Sequence, residues 1–173
     1  MKKIISFITF GLVALPMMAN AQWVSQSEDD IFTGGKKSSI FITTNDYSLN
    51  SAFVFDCTSD SLSFAYIEKS KSSDDTSMPI DMFVKVDDGK VVKFDATYYR
   101  RNNDYFQAET SDRDGILSVL QDAVKAKSKI IVGLSSKHTD NKHSFTANVS
   151  GSTKAVNDFI KACKIELKDN AKI

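Results

Sequence analysis

The chain has 173 residues, with 22 basic and 22 acidic side chains, two histidines and two cysteines. Balanced charge argues against nucleic acid as a partner, and the length suits one domain that can bury a substantial core. The two cysteines, Cys57 and Cys163, lie too far apart in sequence for a thioredoxin-like redox motif or a clustered metal site.

Lys2 and Lys3 open the chain, an apolar run follows over 4–15, and Ala19-Asn20-Ala21 places small residues at a cleavage position. This three-part order predicts a secretory signal peptide over 1–21, cut before Gln22. The run is shorter than the roughly 20 residues a bilayer span needs, and Pro16 interrupts its end. No stable membrane span is therefore expected after cleavage, and no Cys follows the cleavage position to take a lipid. Residues 22–173 are expected to form a single domain, periplasmic or secreted, with 20 basic groups against 22 acidic. In that oxidising setting the two cysteines are expected to join.

In chain order, the first predicted strand covers 39–44. Phe53, Phe55 and Cys57 then share one alternating phase, which turns the Cys57 sulfur inward. Leu62, Phe64 and Tyr66 repeat the pattern after the polar Thr58-Ser59-Asp60 turn, so the two segments read as a hairpin. The stretch 69–77 has no apolar residue and reads as a surface loop. Ile80, Met82, Val84 and Val86 form the next inward series, and Val92, Phe94, Ala96 and Tyr98 return. Asp88-Gly89 between them is expected to supply the positive φ of a tight hairpin. The opposite phase of the returning strand, Lys93, Asp95, Thr97, Tyr99 and Arg101, is a wet face. Further strands are predicted at 105–108, 129–134 and 144–149.

Two segments change to a helical period. Ile116, Val119, Leu120, Ala123 and Val124 share one face, with Ser111 and Asp114 as a capping pair. Ala155, Val156, Phe159, Ile160 and Cys163 form the second stripe, after Gly151-Ser152-Thr153. Both cysteines thus face inward, and a Cys57–Cys163 disulfide would pin the C-terminal helix against the sheet. The expected fold is α+β, a largely antiparallel sheet or sandwich of about seven to nine strands with two covering helices.

Candidate chemistry is sparse. His138 and His143 flank Thr139-Asp140-Asn141-Lys142, which suits a solvated turn better than a metal loop because no third strong ligand adjoins it. No metal and no cofactor are expected. No Ser stands in a Gly-x-Ser-x-Gly elbow and no free Cys remains to pair with a His, so no catalytic residue is assigned and the chain is read as a non-enzyme. Glu28-Asp29-Asp30, Asp74-Asp75 and Asp87-Asp88 are adjacent acids that point apart on a strand or turn, and solvation explains them better than paired-carboxylate chemistry. Tyr98, Tyr99, Arg100, Arg101, Tyr105 and Phe106 are the side chains that interface hot spots favour. Alternation sends Tyr98 inward, leaving Tyr99, Arg101 and Tyr105 as the candidates for contact with a partner. Lys154, Lys161, Lys164 and Lys168 line the polar side of the last helix, a face that is ordinarily solvated.

Trp23 followed by Glu28-Asp29-Asp30, then Phe53-Val54-Phe55-Asp56-Cys57, then Val84-Lys85-Val86-Asp87-Asp88-Gly89, then Gly151-Ser152-Thr153-Lys154-Ala155-Val156 ahead of Ala162-Cys163, stand in a characteristic order. The pattern resembles the TagO/VasI group of type VI secretion-associated proteins, through scattered positions across nearly all of the chain after the signal. It departs at Lys85, where the group has Arg, and at Lys164-Ile165-Glu166, where a Trp commonly follows the last Cys. The resemblance implies a periplasmic accessory protein with no established reaction, which acts by binding an envelope or secreted protein. The alternative expectation is a periplasmic inhibitor or immunity-type protein that blocks a secreted hydrolase.

Overall fold

The computed structural model describes residues 23–46, 50–72 and 75–167. The expected signal over 1–21, Asp74 and Lys168 lie outside the described residues. Among the described residues nine strands form: β1 (Trp23–Asp29), β2 (Lys36–Thr43), β3 (Ser51–Cys57), β4 (Leu62–Lys69), β5 (Met78–Val86), β6 (Val92–Arg100), β7 (Tyr105–Thr110), β8 (Lys129–Ser136) and β9 (Lys142–Asn148). The two helical periods become α1 (Arg113–Val124) and α2 (Ser152–Ala162). All nine strands pair antiparallel in one sheet, ordered β1-β2-β3-β4-β7-β6-β5-β8-β9.

The β3–β4 register sets Cys57 opposite Leu62, Phe55 opposite Phe64 and Phe53 opposite Tyr66, so the two inward phases meet. The β5–β6 register does the same with Met82 opposite Phe94 and Val84 opposite Val92. Right-handed twist accumulates across the strands and curls the sheet until its ends approach. Trp23 donates from its main-chain N to Ser150 O at 3.1 Å and from Nε1 to Asn148 O at 2.7 Å, while Asn45 N reaches Thr146 O at 2.7 Å. Tyr66 on β4 stacks on Phe145 on β9, with 4.1 Å between ring centroids, which joins distant strands through the interior.

Both helices lie on the concave side and cover one end of it. Ile116, Val119, Leu120 and Ala123 of α1 are buried, as are Ala155, Val156 and Phe159 of α2. The Phe159 ring meets Phe55 at 6.5 Å, and Phe55 meets Phe64 at 4.5 Å. The disulfide joins Cys57 at the end of β3 to Cys163 at the C-cap of α2, so the C-terminal helix is tethered to the sheet as expected. The opposite end of the concave side, where Tyr66, Glu68 and Tyr98 stand, is open. No helix among the described residues is long and apolar enough to cross a membrane.

Three local expectations are corrected. β1 is a strand that alternation does not predict, because Trp-Val-Ser-Gln-Ser-Glu-Asp buries only Trp23, and the strand is held by its backbone ladder to β2. The N-cap of α1 is Asp112 rather than Ser111, its carboxylate accepting from Gly115 N at 3.3 Å. The left-handed residue at the β5–β6 turn is Asp87, with φ 48°, and neither Asp88 nor Gly89 takes positive φ. Asp87 is drawn into that geometry because its carboxylate accepts main-chain N–H groups from Lys127, Ser128 and Lys129 at 2.7 to 2.9 Å.

Candidate partner-binding face

Neither described helix covers the convex face of the sheet over β2, β3, β4, β7 and β6. Strand alternation places Phe41, Ala52, Ile67, Gln107, Tyr99 and Arg101 on this side. The predicted trio of Tyr99, Arg101 and Tyr105 does share it, but in two different settings. Arg101 is exposed and Tyr105 half-buried, and together they stand beside Phe41, Ala52 and Ile67 around a concavity of about 560 Å3. Phe41, on a strand that otherwise alternates polar outward, is 38% exposed and forms an apolar wall of this hollow. Phe41 and Ile67 carry no distinct signal in the sequence, because each sits on the phase opposite to its strand's core residues, where a lone apolar side chain is ordinary.

Tyr99 lies outside that hollow, half-buried in a hydrogen-bonded network that ties four strands together. Its hydroxyl donates to Glu109 and accepts from Gln107 Nε2, and Gln107 Nε2 also donates to Glu109 at 2.9 Å. Arg101 Nη1 donates to Gln107 Oε1 at 2.7 Å, and Arg101 Nη2 lies 3.8 Å from Asp56 on β3. Ser39 on β2 donates to the other Asp56 oxygen at 2.5 Å. Val54 and Ala65, of the convex phase, are buried beneath these groups. Burial, and the hydrogen bond to the Glu109 carboxylate, push the Tyr99 phenol above its ordinary value, so it remains a donor at physiological pH. The network fixes the Arg101 guanidinium in place, which lowers the entropy cost of using it in a contact.

A second exposed apolar feature is the β1–β2 turn. Ile31 and Phe32 are 85% and 87% exposed at its tip, and Lys37 Nζ sits 5.9 Å from the centre of the Phe32 ring. Asp30 anchors the turn by accepting from Phe32 N at 3.0 Å and Thr33 Oγ1 at 2.9 Å, and these bonds hold its carboxyl below the usual range.

The histidines do not converge on a metal site. Among the described residues no group of three or more His, Cys, Asp or Glu side chains is gathered to hold an ion. His138 is exposed in the β8–β9 turn, and His143 borders the open concave end. Lys154, Lys161 and Lys164 are exposed on α2 and just after it, and Lys154 pairs with Asp158 along the helix. No family model matches the chain, and neither a curated protein nor a solved structure matches it.

Proposed function

We propose that this chain is an exported, non-catalytic binding protein of the bacterial envelope, of the kind that serves a type VI secretion apparatus as a periplasmic accessory. The partner is a protein, and it docks on the convex face at the Arg101 and Tyr105 hollow. The observation that carries the reading is the combination found there: a guanidinium held in position by Gln107, a phenol, and an apolar wall of Phe41 and Ile67. Aromatic and Arg side chains over an apolar floor are the composition of binding anchors. The expected export signal and the disulfide agree with a role outside the cytoplasm.

Affinity capture from an envelope extract, comparing wild type with the Arg101→Ala, Tyr105→Ala double variant, tests the surface. Loss of the captured partner is expected, whereas Tyr99→Phe, which removes network hydrogen bonds but little contact area, should retain it. Equal capture by wild type and the double variant rejects this face.

The protruding Ile31-Phe32 tip favours a second reading, an inhibitor or immunity-type protein that inserts this turn into the cleft of a secreted hydrolase. Under that reading Ile31→Ser with Phe32→Ser abolishes capture and the Arg101, Tyr105 pair does not.

A further inference from the structure

We propose that the open end of the curled sheet is a binding site for a small organic cation, an ammonium group carried on an apolar body. The cavity there has a volume of about 550 Å3, set between β4, β5, β6, β8 and β9. That size falls within the range of pockets that enclose small ligands. Its walls are mostly apolar and aromatic, with Ile80, Leu134, Tyr98 and the stacked Tyr66 and Phe145 rings.

One carboxylate is set into this wall. Glu68 continues the inward phase of β4 that begins Leu62, Phe64, Tyr66, so alternation puts it where the preceding three residues are core. Both of its oxygens are oriented by phenols: Tyr66 Oη donates to Oε2 at 2.9 Å, and Tyr98 Oη donates to Oε1 at 2.7 Å. Burial, and the nearby Glu68 charge, hold both phenols far above the ordinary tyrosine range, so they stay neutral donors. A carboxylate has about four acceptor positions, and these two bonds leave half of them for a ligand.

Among the described residues no ion pair includes Glu68. Arg100, the cation on the same phase of β6, stands on the far side of Phe106 from Glu68, stacks over the Phe106 ring at 4.9 Å and pairs with Asp75. An unpaired carboxylate in an apolar wall opposes anions and stabilises a cation that leaves water to meet it, and the surrounding rings add cation–π attraction. A neutral apolar compound gains only from the walls. Preference for positive charge is therefore the property that distinguishes this site from a plain apolar hollow.

Isothermal titration of the purified, disulfide-bonded protein with phenethylammonium and, in parallel, with its neutral near-isostere 2-phenylethanol tests the proposal. The cation should bind about tenfold more tightly than the alcohol. Glu68→Gln, which keeps the side chain's shape and one carbonyl acceptor, should abolish that preference. Met78→Trp narrows the rim at a residue that is 39% exposed and makes neither of the Glu68 bonds, so it should weaken both compounds even where Glu68→Gln fails to fold. Equal affinity for cation and alcohol, no heat from either, or unchanged binding by Met78→Trp overturns the assignment.

Discussion

Cys57, on the inward phase of β3, is bonded to Cys163 at the C-cap of α2, their Cα atoms 6.3 Å apart in space and 106 positions apart in sequence. Cys57 is 3% exposed, and its neighbours Phe55 and Leu62 belong to the same buried cluster as Phe159 of the helix. The bond therefore ties the last helix to the sheet at the point where their apolar surfaces meet. In the chain-entropy view a bridge over so long a loop stabilises by about 4 to 5 kcal/mol. Cys163→Ser should lower the unfolding free energy by an amount approaching that figure. Equilibrium urea unfolding of wild type, with and without reductant, alongside the variant checks it: reduced wild type and variant should coincide.

Gly115, in the first turn of α1, lies so near the sheet that a Cβ there would stand 2.3 Å from Phe94 Cε1 and 2.8 Å from the capping carboxylate of Asp112. Phe94 is 1% exposed and belongs to the packed core. Intrinsic propensity favours Ala over Gly in a helix by about 1 kcal/mol, and overpacking opposes it by about 1 to 3 kcal/mol. With a clash this close the steric term wins, so Gly115→Ala should destabilise the protein by up to about 2 kcal/mol. A denaturation midpoint equal to or above wild type would refute this.

The parts of the fold that were legible in the sequence are those where one face of an element is buried. Phe53, Phe55 and Cys57, or Ile116, Val119 and Leu120, repeat with the period of their element because the core selects them. β1 was hidden because a ladder to β2 needs no apolar side chains, and only Trp23 marks it. The cap at Asp112 and the turn at Asp87 were misplaced by one residue or two because each is decided by a carboxylate finding N–H groups, in the Asp87 case across 40 to 42 positions of chain. Of the candidate face, Arg101 and Tyr105 were readable from alternation. Their joining with Phe41, and the separate structural employment of Tyr99, depend on strand order, which alternation does not encode. Glu68 carries a readable signal, a carboxylate continuing the inward phase of Leu62, Phe64 and Tyr66.

Trp23 closes the seam of the curled sheet through Nε1 to Asn148 O at 2.7 Å, and its ring stacks near Phe55 with centroids 6.4 Å apart. Trp23→Phe keeps an aromatic ring there but leaves the Asn148 carbonyl without that donor. A loss of about 1 to 2 kcal/mol is expected. Because Trp23 is the sole tryptophan, circular dichroism in urea rather than fluorescence gives the comparison. Faster hydrogen exchange at the amides of residue 23 and Asn45, which donate across the seam to Ser150 O and Thr146 O, should accompany the loss if the seam opens locally.

Asp87 links the β5–β6 turn to the entry of β8, and its charge state should make that link sensitive to acid. Three main-chain N–H groups, from Lys127, Ser128 and Lys129, converge on its carboxylate at 2.7 to 2.9 Å. They favour the ionised form and lower its pKa from the ordinary 3.8, the bonds from Lys127 and Lys129 contributing most. A group whose pKa is depressed on folding stabilises the native state above its unfolded value, and that stabilisation is lost as pH falls through the folded value. Asp87→Asn presents one carbonyl oxygen and an amide that faces the same donors, so it cannot accept all three. Solvent reaches the turn, which keeps the expected cost at pH 7 to about 1 kcal/mol. As the pH is lowered from about 5 to about 2, wild type loses the Asp87 contribution while the variant has none to lose, so the two stability curves should converge. Asp30, Asp81 and Asp158 are also depressed and contribute to the acid loss of both proteins alike, so the difference between the curves isolates Asp87. A gap that stays constant over this range would show that the cost of the substitution does not come from the Asp87 charge.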